Sequence, residues 1–209
     1  QNIAHELGVD ADVIFSAFSP AVAAASIAQV HRATLRQNGE EVAVKVLRPD
    51  IERAFRTDLD AFFLAARIIE VLSPASRRLR PLDVVSHFES VVLGELDLRL
   101  ESSAASEFAA NTAQDEGFTL PVIKWPHSSR RVMTMSWAEG VPMGDNAAID
   151  AAGHNRQALS TRVLQLFLNH ALRDGYFHAD MHQGNMKVAP NGDIIAYDFG
   201  IMGHIDEYT

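Results

Sequence analysis

The chain has 209 residues, 47% of them hydrophobic and 22% charged, which fits one large globular domain or two small lobes. A formal net charge of -9 without a basic stripe excludes generic nucleic-acid binding, and the lack of cysteine excludes a disulfide framework and thiolate chemistry. No apolar run reaches the roughly 18 to 20 residues of a membrane span and no signal peptide is visible; the start at Gln1 and the end at Thr209, soon after the last acidic motif, read as a piece of a longer protein.

Residues 1–18 are mildly amphipathic through Leu7, Val9, Val13, Ile14, Phe15 and Phe18 and read as a helix or lead-in segment. Ser19 to Ala28 is rich in alanine, which alone favours a helix. The neighbouring residues argue against one: Gln29–Leu35 alternates like a strand, Gln37-Asn38-Gly39-Glu40 is a turn, and Glu41–Leu47 is a second strand. Val42, Val44 and Val46 share one face of that strand, with Ala43, Lys45 and Leu47 on the other. Lys45 is thus a cation on an apolar face and needs a partner.

After Arg48-Pro49, Asp50 is placed to cap a helix running to about Leu72, with Phe55, Leu59, Phe62, Phe63, Ala66 and Ile69 at helical spacing. Arg77, Arg78 and Arg80 form a small basic cluster before Pro81. A long helix is expected from near Leu82 to Ala110, with Val85, Phe88, Val92, Leu96 and Leu100 as its stripe. It carries Glu95, Asp97 and Glu101. On a continuous helix Glu95 and Glu101 point about 120° apart while Asp97 and Glu101 share a face, so one lysine cannot face all three. Glu101 is the favoured partner of Lys45, with Glu95 and Asp97 open as alternatives.

Leu120–Pro126 reads as a short edge strand and Arg131–Trp137 as a better one, ending at Ala138-Glu139-Gly140, a hinge between lobes. Residues 144–156 suggest a loop and a short helix. Ala158–Arg173 is a helix with Val163, Leu164, Phe167, Leu168, Ala171 and Leu172 inward, stopped by Gly175.

The chemistry concentrates after it. His178-Ala179-Asp180-Met181-His182-Gln183-Gly184-Asn185 is followed thirteen residues later by Asp198-Phe199-Gly200. Between them, Met186–Ala189 and Ile194–Tyr197 read as two strands joined across Asn191-Gly192. Such a hairpin sets Asn185 beside Asp198, with Asp180 on the same rim. A carboxylate and an amide oxygen on adjacent loops can share Mg²⁺ with phosphate oxygens, and a second Asp can orient or deprotonate a hydroxyl. This is the layout of phosphoryl transfer in protein kinases, with Asp-x4-Asn before Asp-Phe-Gly and a Val-Ala-x-Lys strand upstream.

Taken together, Ala23-Ala24-Ala25-Ser26 with Gln29–Ala33, the strand of Lys45, Glu95-x-Asp97, His178–Asn185 and Asp198-Phe199-Gly200 resemble the UbiB family of atypical protein-kinase-like proteins, associated with ubiquinone biosynthesis. The resemblance spans Ser19 to Gly203. It implies an α+β, protein-kinase-like two-lobed fold: a small antiparallel-sheet lobe with inserted helices over 1–137, and over 138–209 the start of a mainly helical lobe. By position it implies that Lys45 contacts phosphates and pairs with Glu101, that Asp180 is catalytic, and that Asn185 and Asp198 hold metal. Ala23, Ala24, Ala25, Ser26, Met135 and Ala138 then line the nucleotide site, with ATP or ADP and Mg²⁺ as cofactors. The family pattern has proline where Met181 and Gln183 stand here. The resemblance also implies a quinone precursor or isoprenoid lipid, a membrane surface and a quinone-biosynthesis protein complex as partners of the full-length protein, placing it in the cytoplasm, peripheral to or anchored at the inner membrane. Two other readings are a small-molecule kinase of the aminoglycoside or choline kinase type and a non-catalytic nucleotide-gated scaffold.

Overall fold

The computed structural model describes residues 2–24, 27–72 and 74–205. The chain opens with two short helices, α1 (Asn2–Leu7) and α2 (Ala11–Ile14), and then turns extended at Phe15. The lead-in is therefore helix only in part. Strands β1 (Phe15–Ala24), β2 (Ala28–Leu35) and β3 (Glu41–Leu47) form an antiparallel meander. Ala23 and Ala24 belong to β1, opposite Val30 and Gln29, so the alanine stretch enters as strand; Ala25 and Ser26 lie outside the described residues. Helix α3 (Ile51–Leu72) follows Asp50, whose carbonyl accepts the Ala54 amide from a left-handed backbone at φ 59°. Asp50 thus starts the helix through its backbone rather than its side chain. Leu59 and Ala66 are buried on α3, whereas Phe62 and Ile69 are exposed.

The expected long helix is two: α4 (Pro81–Glu95) and α5 (Leu98–Asn111). Asp97 breaks it. Its carboxylate accepts the Arg99 amide at 3.1 Å as the N-cap of α5, a role that competes with helix continuation. The break re-aims the second half, so that Leu98, Glu101, Ser102, Ala105 and Phe108 turn inward and Leu100 faces out.

Strand β4 (Phe118–Thr119) is followed by an irregular stretch rather than the edge strand expected over 120–126; only Ile123 bridges to Met135, and Trp125–His127 is a 3₁₀ turn. The two prolines of that stretch, Pro121 and Pro126, have no amide to donate to a ladder. Strand β5 (Val132–Ser136) pairs with β3 and completes the first sheet, in the order β1-β2-β3-β5. The chain then crosses through Gly140 into β6 (Val141–Pro142). Gly140 has φ 157°, and a Cβ there would collide with the Val188 carbonyl, so only glycine lets the crossing pass that close.

Helix α6 (Asn146–Ala151), capped by Asp145, and helix α7 (Arg156–Asn169), capped by Asn155, come next. A π-helical turn, His170–Asp174, ends at Gly175 with φ 64°. Leu159, Leu166, His170 and Ala171 are the buried positions here, while Leu164, Leu168 and Leu172 are exposed; the inward face is rotated from the one expected. Strands β7 (Tyr176–His178), β8 (Met186–Val188), β9 (Ile194–Ala196) and β10 (Met202–His204) finish the described chain. β8 and β9 form the expected hairpin within a second sheet, β4-β9-β8-β6, and β7 pairs with β10.

The two faces of β3 behave as the alternation requires. Val42 and Val44 enter a core with Ile3, Ile14, Phe15 and Val132. Ala43 and Leu47 enter a larger core with Leu96, Phe108, Met133, Met135, Val188 and Phe199. That second core reaches from the first sheet to the second. Lys45 shares its side of β3, opposite Met133, and so points a cation toward the seam between the sheets.

Candidate active site

Lys45 finds its partner across the seam. Its Nζ lies 2.8 Å from both carboxylate oxygens of Glu101 and 3.6 Å from Asp198 Oδ1. The Lys45 and Glu101 side chains are 12% and 8% exposed, and Asp198 is 42% exposed. Burial works against the Lys45 ammonium, but the carboxylates of Glu101 and Asp198 outweigh it and hold the pKa above its ordinary range. Burial raises the Glu101 carboxyl, and the Asp198 charge adds to this against the pull of Lys45. The Phe199 amide donates to Glu101 Oε1 at 3.5 Å, tying α5 to the Asp198-Phe199-Gly200 turn. Of the three acids weighed as partners of Lys45, Glu101 makes the contact. Asp97 pairs with Arg99 instead, and Glu95 is exposed on the rim.

The hairpin brings Asn185 and Asp198 into one recess of about 160 Å³, which Lys45, Glu95, Glu101, His178 and Asp180 also line. Asn185 Nδ2 donates to the backbone carbonyl and to Oδ2 of Asp180, both at 3.1 Å. Its amide oxygen is left without a donor among the described residues, as is Asp198 Oδ2. Two hard oxygens on neighbouring loops, one anionic and half-exposed, are a donor set suited to Mg²⁺ with phosphate and water completing the shell. One ammonium beside two carboxylates leaves that corner net negative, which also suits a divalent cation.

Asp180 is held from both sides. Asn185 donates to it, and His182 Nε2 stands 3.5 Å from its Oδ2. His182 Nδ1 accepts the Gly184 amide at 2.9 Å, which leaves the proton of a neutral ring on Nε2, facing Asp180. His178 is 1% exposed, accepts the Asp180 amide and packs against the Phe199 ring; burial lowers its pKa below the ordinary histidine value.

A cleft of about 440 Å³ adjoins this recess and shares Lys45, Asn185 and Asp198 with it. Ala23, Ala24, Met135 and Ala138 line it, together with Val30, Ala43 and Trp137. Its size and its mostly apolar walls suit a nucleotide. Lys187 and Tyr197 line it without having been singled out as site residues from the sequence, and Trp137 lies between Met135 and Ala138, within the stretch expected at the base. The Lys187 ammonium donates to the Ala138 carbonyl at 2.8 Å and lies 4.7 Å from the Trp137 ring centre. Tyr197 donates to the Gly184 carbonyl and closes the floor. In the sequence Lys187 is the middle of a short strand between buried neighbours, a pattern equally suited to a solvent-facing lysine; only the crossing at Gly140 places it under the cleft.

Known proteins share this arrangement of elements. The ABC1 atypical kinase-like domain matches residues 1–209. The chain belongs to that family. Over 206 residues this ABC1 chain is 39% identical to the probable protein kinase UbiB of Marinobacter nauticus, covering 96% of this chain and 38% of that protein. Over 212 residues it is 38% identical to the probable protein kinase UbiB of Shewanella piezotolerans, covering 99% and 39%. The Rv3197–erythromycin complex from Mycobacterium tuberculosis superposes with a TM-score of 0.75 at 30% identity, over 97% of this chain and 50% of that one. The ABC1 domain here therefore has the mixed α+β kinase-like fold, and it spans well under half the length of the curated relatives it matches. Among the described residues no helix is long and apolar enough to cross a membrane.

Proposed function

We propose that this ABC1 domain binds a Mg²⁺–adenine nucleotide and, in the full-length protein, turns it over as an atypical kinase or ATPase that supports ubiquinone synthesis. The observation that carries the reading is the convergence of Lys45, Glu101, Asp180, Asn185 and Asp198 at one end of a nucleotide-sized cleft. Lys45, fixed by Glu101, meets the phosphates. Asp198 and the Asn185 amide oxygen hold Mg²⁺, which when bound neutralises phosphate charge. Asp180, oriented by Asn185 and His182, accepts the proton of the attacking hydroxyl or water. Ala23 and Ala24 form the edge over the phosphates, Met135 and Ala138 the base end; the expected roles of Ala25 and Ser26 fall outside the described residues. The division between lobes falls at Trp137 and Ala138, where the chain leaves the first sheet; β4 joins the second sheet from the amino-terminal side of that point.

The substrate side of the reading rests on the relatives' name, UbiB, and implies a quinone precursor or isoprenoid lipid and a membrane surface for the full-length protein. The experiment is nucleotide hydrolysis by that protein, with and without liposomes and quinone-precursor-like phenols. Turnover that rises with either supports the reading. Phosphorylation of choline or an amino sugar in their place supports the small-molecule kinase, and nucleotide binding without turnover under every condition supports a scaffold.

A further inference from the structure

The base end of the cleft holds a charge that its apolar walls do not account for. Val30 and Ala43 line it from β2 and β3 and Met135 from β5, while Lys187 reaches it from β8 in the other sheet. The backbone of this crossing is the natural reader of a base edge, yet much of it is already engaged. The Ser136 amide donates to the Val122 carbonyl, the Trp137 amide to the Glu41 carbonyl, and the Ala138 carbonyl accepts from Lys187.

We propose that Lys187 determines which nucleotide base the cleft takes, admitting oxopurines such as guanine alongside adenine. The inference rests on the nucleotide reading above and specifies its ligand. An ammonium has three N–H donors and no acceptor. The Ala138 carbonyl takes one, and the side chain lines the cleft. A donor there pairs with a base edge that offers a carbonyl oxygen, such as O6 of guanine, and opposes the exocyclic amine of adenine presented to it. Two rings meet Lys187 in this position: the Trp137 ring centre lies 4.7 Å from its Nζ and the Tyr197 ring centre 5.8 Å, both within cation–π range. Trp137 also meets Arg32, whose guanidinium carbon is 4.7 Å from the ring centre. Arg32 itself pairs with Glu41. The group is thus braced from both sheets. Lys187 is half-buried, which lowers its pKa, and a donor that has given up part of its hydration gains more from a base acceptor than an exposed one does.

A site built to hydrogen-bond one group discriminates strongly once the partner is removed. The test measures the affinities of MgATP and MgGTP by isothermal titration for the full-length protein, unaltered and as Lys187→Met and Lys187→Arg. Unaltered protein and Lys187→Arg, which keeps the cation, are expected to bind the two nucleotides within a few-fold of each other. In Lys187→Met the preference should move toward ATP by about tenfold, the size of one charged hydrogen bond. A GTP-to-ATP ratio unchanged in Lys187→Met overturns the proposal while leaving nucleotide binding intact, as does exclusion of GTP by the unaltered protein. Folded, unaltered protein that binds neither nucleotide overturns the nucleotide reading and this inference with it.

Discussion

Lys45 and Glu101, 56 residues apart in sequence, meet with Nζ 2.8 Å from both carboxylate oxygens, and that contact joins β3 to α5 beside the Asp198-Phe199-Gly200 turn. Lys45→Met leaves Glu101 buried without its cation, and breaking a buried pair costs roughly 3–5 kcal/mol. The loss should appear as a clear fall in thermal midpoint. Replacing both partners, Lys45→Met with Glu101→Leu, removes the stranded charge and should recover part of the loss. Losses that simply add in the double variant would mean that the pair is not energetically coupled.

The cap at Asp97 is a separate test of the helix break. Asp97→Ala removes the bond to the Arg99 amide and should cost about 0.5–2 kcal/mol, read as a lower denaturant midpoint with an unchanged slope. No change in midpoint would show that the junction between α4 and α5 is set by packing alone.

Acid should destabilise the domain in two stages. His170 is fully buried, with Nε2 3.0 Å from Asp115 Oδ2, and burial lowers its pKa from 6.5. The unfolded chain then binds a proton that the folded chain refuses, so stability is complete above about pH 6.5 and declines below it. Burial lowers His178 in the same direction. Hydrogen bonds from Arg173 hold Asp115 below the usual carboxylate range, and its contribution is lost only as pH falls below about 3.9 toward the folded value. Thermal midpoints between pH 7.5 and 5.5 should fall for the unaltered protein and fall less steeply for His170→Gln, which cannot titrate. Equal slopes in the two proteins would remove His170 from the account.

The hairpin of β8 and β9, the strand of Lys45 and the stop at Gly175, after the π-helical turn that continues α7, were legible because each is local: an alternation, an Asn-Gly pair, a glycine after a periodic run. The pairing of Lys45 with Glu101 was legible only as a preference among three acids, because helical geometry sets Glu95 apart from Glu101 but leaves Asp97 on the same face. The rest depends on contacts the sequence does not reveal. Asp97 reads equally as a surface acid within one helix or as the cap of a second, and the choice re-aimed Leu100 outward. The alanines at 23 and 24 carry no strand alternation of their own, but they pair with Val30 and Gln29 as strand. Among the described residues only Asp50 and Arg80 have positive φ without being glycine, so Ala23 and Ala24 bear no left-handed strain. The exposed Leu164, Leu168 and Leu172 show the limit of reading a helical stripe as inward: periodicity fixes a face, not what that face meets.

The central claim is that Asp198 and Asn185 hold a metal against a nucleotide's phosphates. The most direct measurement is the shift in thermal midpoint on adding ATP or ADP, with Mg²⁺ and with chelator, in the unaltered full-length protein and in Asp198→Asn. The account predicts stabilisation that requires Mg²⁺ in the unaltered protein and is lost in Asp198→Asn, since the substitution removes the carboxylate charge assigned to the metal. An undiminished, Mg²⁺-dependent shift in Asp198→Asn would contradict it.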